Sequence, residues 1–223
     1  MELWLAGLLA TVFGLVAGVD YIFRIFGRTI FGWRKTAPTH PRAATWVVWA
    51  VMGLILASAY SSSGARETAW SAWAMAVEFV VVAVLAIIYD SRTRRLKSPR
   101  QWRHAIEDID ATEWKCMGGA VLAGILWLAS GEPLLALFGS YAVDLFAALP
   151  TLRQAFRRPL EEPTSAWLLT VIGNGFNLLA VPEWNLASLD SFAIWSYPVY
   201  MLAINGLILM FLMRHFRPSR ARS

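Results

Sequence analysis

The chain has 223 residues, of which 57% are hydrophobic and only 16% are charged, whereas soluble domains are about 45–50% apolar and about 25% charged. This composition excludes a disordered chain and a collagen-like repeat, and the single cysteine excludes an intrachain disulfide framework. The net charge is +5, and the basic residues lie between apolar segments. This distribution indicates that they orient the chain in a membrane, and no nucleic-acid partner is expected.

Apolar segments follow one another along almost the whole chain. Seven can be marked, at about 3–25, 44–60, 68–89, 116–130, 133–150, 166–181 and 189–213. A helix needs about 20 apolar residues to cross the hydrocarbon of a bilayer, and only a helix satisfies its own backbone there. We therefore predict an all-α integral membrane protein with seven transmembrane helices.

The positive charges predict the orientation of these segments. If seven spans alternate in direction, 19 of the 20 Lys and Arg residues lie on one side and only Arg66 lies on the other. Since cytoplasmic loops carry the excess of Lys and Arg, the N-terminus is predicted outside and the C-terminus in the cytoplasm. The expected location is a bacterial inner membrane.

The segments predict four regions. Residues 1–90 form a first three-helix unit, 91–132 a cytoplasmic segment and a linker helix, 133–214 a second three-helix unit, and 215–223 a basic tail. Within the cytoplasmic segment, Ser98-Pro99 is a good start for a short amphipathic helix on the membrane surface.

The first three and the last three segments resemble each other at a nearly constant offset of 121 to 124 residues. The matching pairs are Asp20 with Asp144, Trp46 with Trp167, and Trp73 with Trp195. This pattern indicates an internal duplication. Because the linker helix crosses the membrane once, both units point the same way, as in parallel-repeat transporters.

The 3+1+3 order and the sequence Leu149-Pro150-Thr151-Leu152 resemble the SWEET and PQ-loop superfamily of small-solute carriers. The family's proline–glutamine pair is replaced by Pro150-Thr151 in this chain. The family also has an asparagine in the third helix of each repeat; the second unit has Asn205 there, whereas the first unit has Ala83. The resemblance implies two parallel three-helix repeats and transport of a small polar solute.

Glu78 is the sharpest candidate for a functional residue because it lies near the middle of segment three. A carboxylate at bilayer depth costs at least about 2.5–3.5 kcal/mol on insertion scales, so it must face protein or water or be protonated. It is predicted to accept a hydrogen bond from the solute or to couple transport to protons. The alternative is a protonated acid bonded to a neighbouring helix, with Tyr200 as its partner.

Asp20, Asp144 and Pro150 are candidates for gating. The two aspartates are predicted at matching positions toward the cytoplasmic ends of their helices, and Arg24 is spaced to pair with Asp20. The favoured alternative is that each aspartate caps or pairs with the basic loop beside it. Pro150 and Pro198 can bend their helices, which would assist rocking.

Asn174, Asn177 and Asn205 suit a hydroxylated solute because an amide both donates and accepts hydrogen bonds. Amides also bond between helices without any ligand. Trp49, Trp73 and Trp195 reach deeper than the other tryptophans and could stack on a sugar or nucleobase, or simply pack. Trp46 and Trp167 open their helices and are predicted to be interfacial anchors.

Other classes of seven-helix protein lack their required residues. All three lysines lie in loops or at a boundary, which disfavours a retinal protein, and the three histidines lie in loops or the tail, which disfavours intramembrane haem. No metalloprotease or serine-nucleophile motif lies in a span, so neither an enzyme nor a bound metal or cofactor is expected.

The sequence thus predicts a carrier that moves a small polar solute, such as a sugar, vitamin or nucleoside, by alternating access between two repeats. The predicted binding residues are Glu78, Tyr200, Asn174, Asn177, Asn205, Trp195 and Trp73. The alternative is a non-transporting membrane scaffold or complex subunit with the same fold. Homo-oligomer formation is left open.

Overall fold

The structure is a computed structural model that describes residues 1–28, 43–93, 111–160, 162–185 and 187–214. The described residues contain seven α-helices. In chain order they are α1 (Leu3–Ile25), α2 (Ala43–Ser62), α3 (Ala69–Thr93), α4 (Ala111–Ser130), α5 (Pro133–Arg157), α6 (Thr164–Leu179) and α7 (Leu189–Arg214). All seven apolar segments are therefore helical, as predicted.

Two helices extend well beyond their predicted bounds. Helix α4 begins at Ala111 and α5 continues to Arg157. Polar residues at either edge of an apolar run do not by themselves end a helix. The end of α5 has a local cause. Pro159 disfavours helical backbone at Arg158, whose N–H bonds the carbonyl of Gln154 at 2.6 Å.

Four of the described helices are long and apolar enough to cross a membrane, which makes the chain an integral membrane protein. They are α1, α3 (over Ala69–Ile88), α5 and α7. In α2 the stretch Trp46–Ser62 is apolar but shorter. The crossing of the membrane by all seven helices stays a prediction.

The exposed face of α1 shows how the chain meets lipid. Leu8, Val12, Leu15, Val19 and Phe23 are all exposed and follow each other at intervals of three or four residues. This spacing places them on one face of the helix. Since such a stripe is unfavourable in water, its natural surroundings are lipid tails.

We call α1, α2 and α3 the first group of helices and α5, α6 and α7 the second group, although α1 packs more extensively on α6 than on α3. In the first group α3 contacts both α1 and α2, and in the second group α7 contacts both α5 and α6. Between the groups, α1 packs on α6 and α2 packs on α5, while α4 contacts α5 and α2. Helices α1 and α6 approach each other closely at Gly173, where an added Cβ would lie 3.0 Å from the Ala10 carbonyl oxygen.

Several sequence predictions lie outside the described residues. They are the amphipathic helix predicted to begin at Ser98-Pro99, the basic tail from position 215, and most of the basic segment between α1 and α2.

Candidate functional site

A central cavity lies between the two groups of helices. Its volume is about 90 Å³, measured as the space open to the centre of a water molecule. By this measure one water needs about 10–15 Å³, so the cavity has room for several waters or a small solute. Six helices line it, namely α1, α2, α3, α5, α6 and α7.

The cavity extends from the middle of the bundle toward one end. Ala17 and Tyr21, near the end of α1, line it together with Trp46 and Trp49, near the start of α2, and Trp167, near the start of α6. At the opposite end, two aromatic residues join α2 and α7. The buried Tyr60 and Tyr197 rings lie 4.6 Å apart there, and the Tyr60 hydroxyl donates to the carbonyl of Ile194 at 2.6 Å.

Glu78 on α3 lines the cavity, as the binding prediction required. Its carboxyl group fits against α1 because position 18 is glycine: a Cβ there would lie 2.5 Å from the Glu78 Cδ. Within the described part of the chain, no hydrogen bond or ion pair involves this carboxyl group. An unpartnered intramembrane acid beside a cavity is free to bind a solute or a proton.

Tyr200 is bonded to Asp144, and not to Glu78 as the alternative sequence interpretation had it. Its hydroxyl donates to the Asp144 Oδ2 at 2.7 Å and lies 3.2 Å from the carbonyl oxygen of Tyr141. The rings of Tyr141 and Tyr200 are stacked with centroids 4.7 Å apart. Asp144 also lines the cavity, so the second group of helices contributes its own carboxyl group.

The position of Asp144 in its helix differs from the prediction. Because α5 runs on to Arg157, Asp144 lies near the middle of the helix and not toward its end. Pro150 lies inside this continuous helix. The gating role of both residues stays a prediction.

Asp20 lies in a buried polar contact between α1 and α6. The Ser165 hydroxyl donates to the Asp20 Oδ2 at 2.5 Å, and the Arg24 guanidinium donates to the same Ser165 oxygen at 3.4 Å. All three residues are buried. This arrangement joins the two groups of helices through Ser165, a partner that neither interpretation of Asp20 had named.

Four aromatic rings form an aromatic cluster on the cavity wall beside Glu78: Tyr21, Trp46, Trp49 and Phe79. Neighbouring centroids are 5.0 Å apart for Tyr21–Trp46, 5.1 Å for Trp46–Trp49 and 5.6 Å for Trp49–Phe79. Trp46 is thus buried in the bundle and is not the exposed interfacial anchor that its position suggested.

The three asparagines have different surroundings. Asn205 lines the cavity, and its amide N donates to the Met201 carbonyl at 2.7 Å. The Asn174 amide reaches the same carbonyl at 3.5 Å, and Asn174 is not among the described residues that line the cavity. Asn177 is fully buried, and neither polar atom of its amide has a hydrogen-bond partner among the described residues.

Trp73 and Trp195 do not belong to the cavity lining in the described part of the chain. Trp73 is 40% exposed, and its indole N–H donates to the Ser61 hydroxyl at 2.9 Å. Trp195 stacks on Trp184 with centroids 5.9 Å apart. Trp73 and Glu78 are five residues apart, about 140° around a helix, so their spacing already opposed a shared face.

Sequence reasoning missed the aromatic cluster as a unit, and it missed Gly18. A partial signal existed, because Trp46 and Trp49 are three residues apart and share a helix face. Phe79 follows Glu78 directly, but nothing local relates either residue to α2.

Comparison with known proteins identified no matching family model, no matching curated protein and no matching solved structure.

Proposed function

We propose that the chain is a membrane carrier that binds a small polar solute in the central cavity and exposes it alternately on the two sides of the bilayer. The observation that carries this proposal is the Glu78 carboxyl group, which has no partner among the described residues and lies in a cavity lined by six helices. Burying an acid without a protein partner is costly, so a solute or proton that binds there supplies the compensation.

The order of helix contacts supports two rocking units. The third helix of each group packs between the other two, and the contact of α1 with α6 has its counterpart in the contact of α2 with α5. Exchanging the two groups maps one contact onto the other. This is the pattern expected of a duplicated unit with the substrate site at the repeat interface.

An aromatic contact at one end of the bundle supports alternating access. The cavity reaches toward the end of α1, whereas the Tyr60–Tyr197 contact lies at the opposite end, between α2 and α7. Tyr60 links the groups through one hydrogen bond to the Ile194 carbonyl. In the proposed cycle this contact opens as the contacts around Asp20 and Ser165 tighten.

The proposal is tested by solute uptake into proteoliposomes containing the full chain, with sugars, nucleosides, vitamins and organic cations as radiolabelled candidates. We expect saturable uptake of at least one solute and its loss, by at least about tenfold, in Glu78→Gln. Glu132→Gln is the matched control, because Glu132 is exposed at the start of α5. It should transport as the unmodified chain does.

Two further results would decide between the alternatives. If no solute moves and a stable protein partner co-purifies, the carrier proposal is wrong and the scaffold function takes its place. If uptake occurs, its dependence on an imposed proton gradient separates the two roles of Glu78. Gradient-driven uptake that Glu78→Gln abolishes would assign proton coupling, and gradient-independent uptake would assign solute binding.

A further inference from the structure

We propose that the solute of the central cavity is an organic cation. This inference rests on the proposed function and specifies its substrate class. The charge of the lining gives the first argument. Among the described residues that line the cavity are two acids, Glu78 and Asp144, and no Lys, Arg or His.

The partners of the two acids give the second argument. Asp144 accepts a hydrogen bond from Tyr200, whereas Glu78 has no hydrogen bond or ion pair within the described part of the chain. A cationic solute would supply the missing opposite charge in surroundings of low dielectric constant, where such a pair is strong. An anionic solute would instead add a third acidic group to the two in the lining, Glu78 and Asp144.

The aromatic cluster gives the third argument. Trp49 and Phe79 are stacked at 5.6 Å, and Trp46 contacts Phe79 edge-on with centroids 5.7 Å apart. Together with Tyr21 these rings line the cavity from the first group of helices, to which Glu78 also belongs. Tryptophan faces attract cations through the ring quadrupole, and quaternary ammonium groups are recognised by aromatic walls of this kind.

The test compares a cation with its neutral isostere. Tritiated choline is the probe, and 3,3-dimethylbutan-1-ol, in which carbon replaces the quaternary nitrogen, is the neutral competitor. Binding to the detergent-solubilised full chain is measured by scintillation proximity. We expect saturable choline binding that tetramethylammonium and the 1-methylnicotinamide cation displace and that the neutral alcohol displaces at least about tenfold less effectively.

Two variants locate the cation. Glu78→Gln should weaken choline binding by at least about tenfold, because it removes the opposite charge. Trp49→Leu should weaken it by about two- to thirtyfold, because it removes one ring face. Glu132→Gln and Trp184→Phe are the matched controls and should bind as the unmodified chain does, since both residues are exposed and neither is among the described lining residues.

The outcomes separate this inference from the proposed function. If none of the three cations binds, or if the neutral alcohol competes equally with choline, the cation inference is wrong. Uptake of a neutral sugar that cations do not inhibit would also overturn it, while it would support the carrier. Choline binding that Glu78→Gln abolishes, without uptake of any cation into proteoliposomes, would support the cation site and contradict the carrier.

Discussion

Gly18 and Glu78 form the contact on which the shape of the cavity wall depends. An alanine at position 18 would place its Cβ 2.5 Å from the Glu78 Cδ and 2.7 Å from one carboxylate oxygen. We expect Gly18→Ala to displace this carboxyl group and to reduce solute uptake strongly. The free energy of unfolding should change by no more than about 1 kcal/mol, because the displaced group is the far end of a flexible side chain.

Gly14, one turn earlier on α1, provides the control. An added Cβ there would have no heavy atom within 4 Å, apart from its own helix and neighbours. Gly14→Ala should therefore leave uptake unchanged and stabilise the helix by up to about 1 kcal/mol. Thermal unfolding in detergent and proteoliposome uptake are the two measurements. Equal behaviour of the two variants would show that Glu78 does not depend on the space at Gly18.

The sequence predicted single residues well where their role depends on depth in the membrane. It predicted them poorly where the role depends on which neighbouring helix the side chain faces. Glu78 and Asn205 were expected to line a cavity, and they do. Asn174 and Asn177 were also predicted to bind the solute, yet neither is among the described residues that line the cavity. In helices that are apolar almost all round, sequence fixes how deep a residue lies but not which neighbour it faces.

At the scale of the element, the contact between α1 and α6 depends on Ser165. This hydroxyl donates to Asp20 and accepts from Arg24, so it joins two charged groups that are both buried. We expect Ser165→Ala to lower the free energy of unfolding by about 1–3 kcal/mol, because a buried charged group loses a hydrogen bond. Thermal unfolding of the purified protein measures the effect.

Ser63→Ala is the matched control, since the Ser63 hydroxyl bonds the Ala59 carbonyl four residues earlier and joins no second helix. Its stability should stay within about 0.5 kcal/mol of the unmodified chain. If both serine variants unfold at the same temperature, Ser165 does not hold the two groups together and the account of this contact is wrong.

The existence of the helices followed from the sequence, but some of their ends did not. Runs of apolar residues placed all seven helices, and α1 begins and ends where predicted. The end of α5 at Arg157 is set by Pro159 and not by the last apolar residue, and the longer helix moves Asp144 to its middle. Hydropathy marks the hydrocarbon, whereas backbone chemistry marks the end of a helix.

At the scale of the whole molecule, the packing of α1 on α6 and of α2 on α5 is what creates one cavity between two groups. The matching residues of the two halves suggested the grouping, and the resemblance to a transporter family implied it. The particular pairing of helices could not be derived from hydropathy, because lipid-facing and partner-facing residues are both apolar. The aromatic cluster, drawn from α1, α2 and α3, was hidden for the same reason.

Alternating access of this one cavity is the central claim, and labelling from each side of the membrane tests it most directly. Thr170 lines the cavity and can carry a single cysteine in a Cys116→Ser background. Val12→Cys, on the exposed apolar face of α1, is the control and should stay unlabelled in lipid. A membrane-impermeant maleimide is applied to vesicles of either orientation. We predict that Thr170→Cys is labelled from both sides and that bound solute slows the reaction; labelling from one side only would contradict the account.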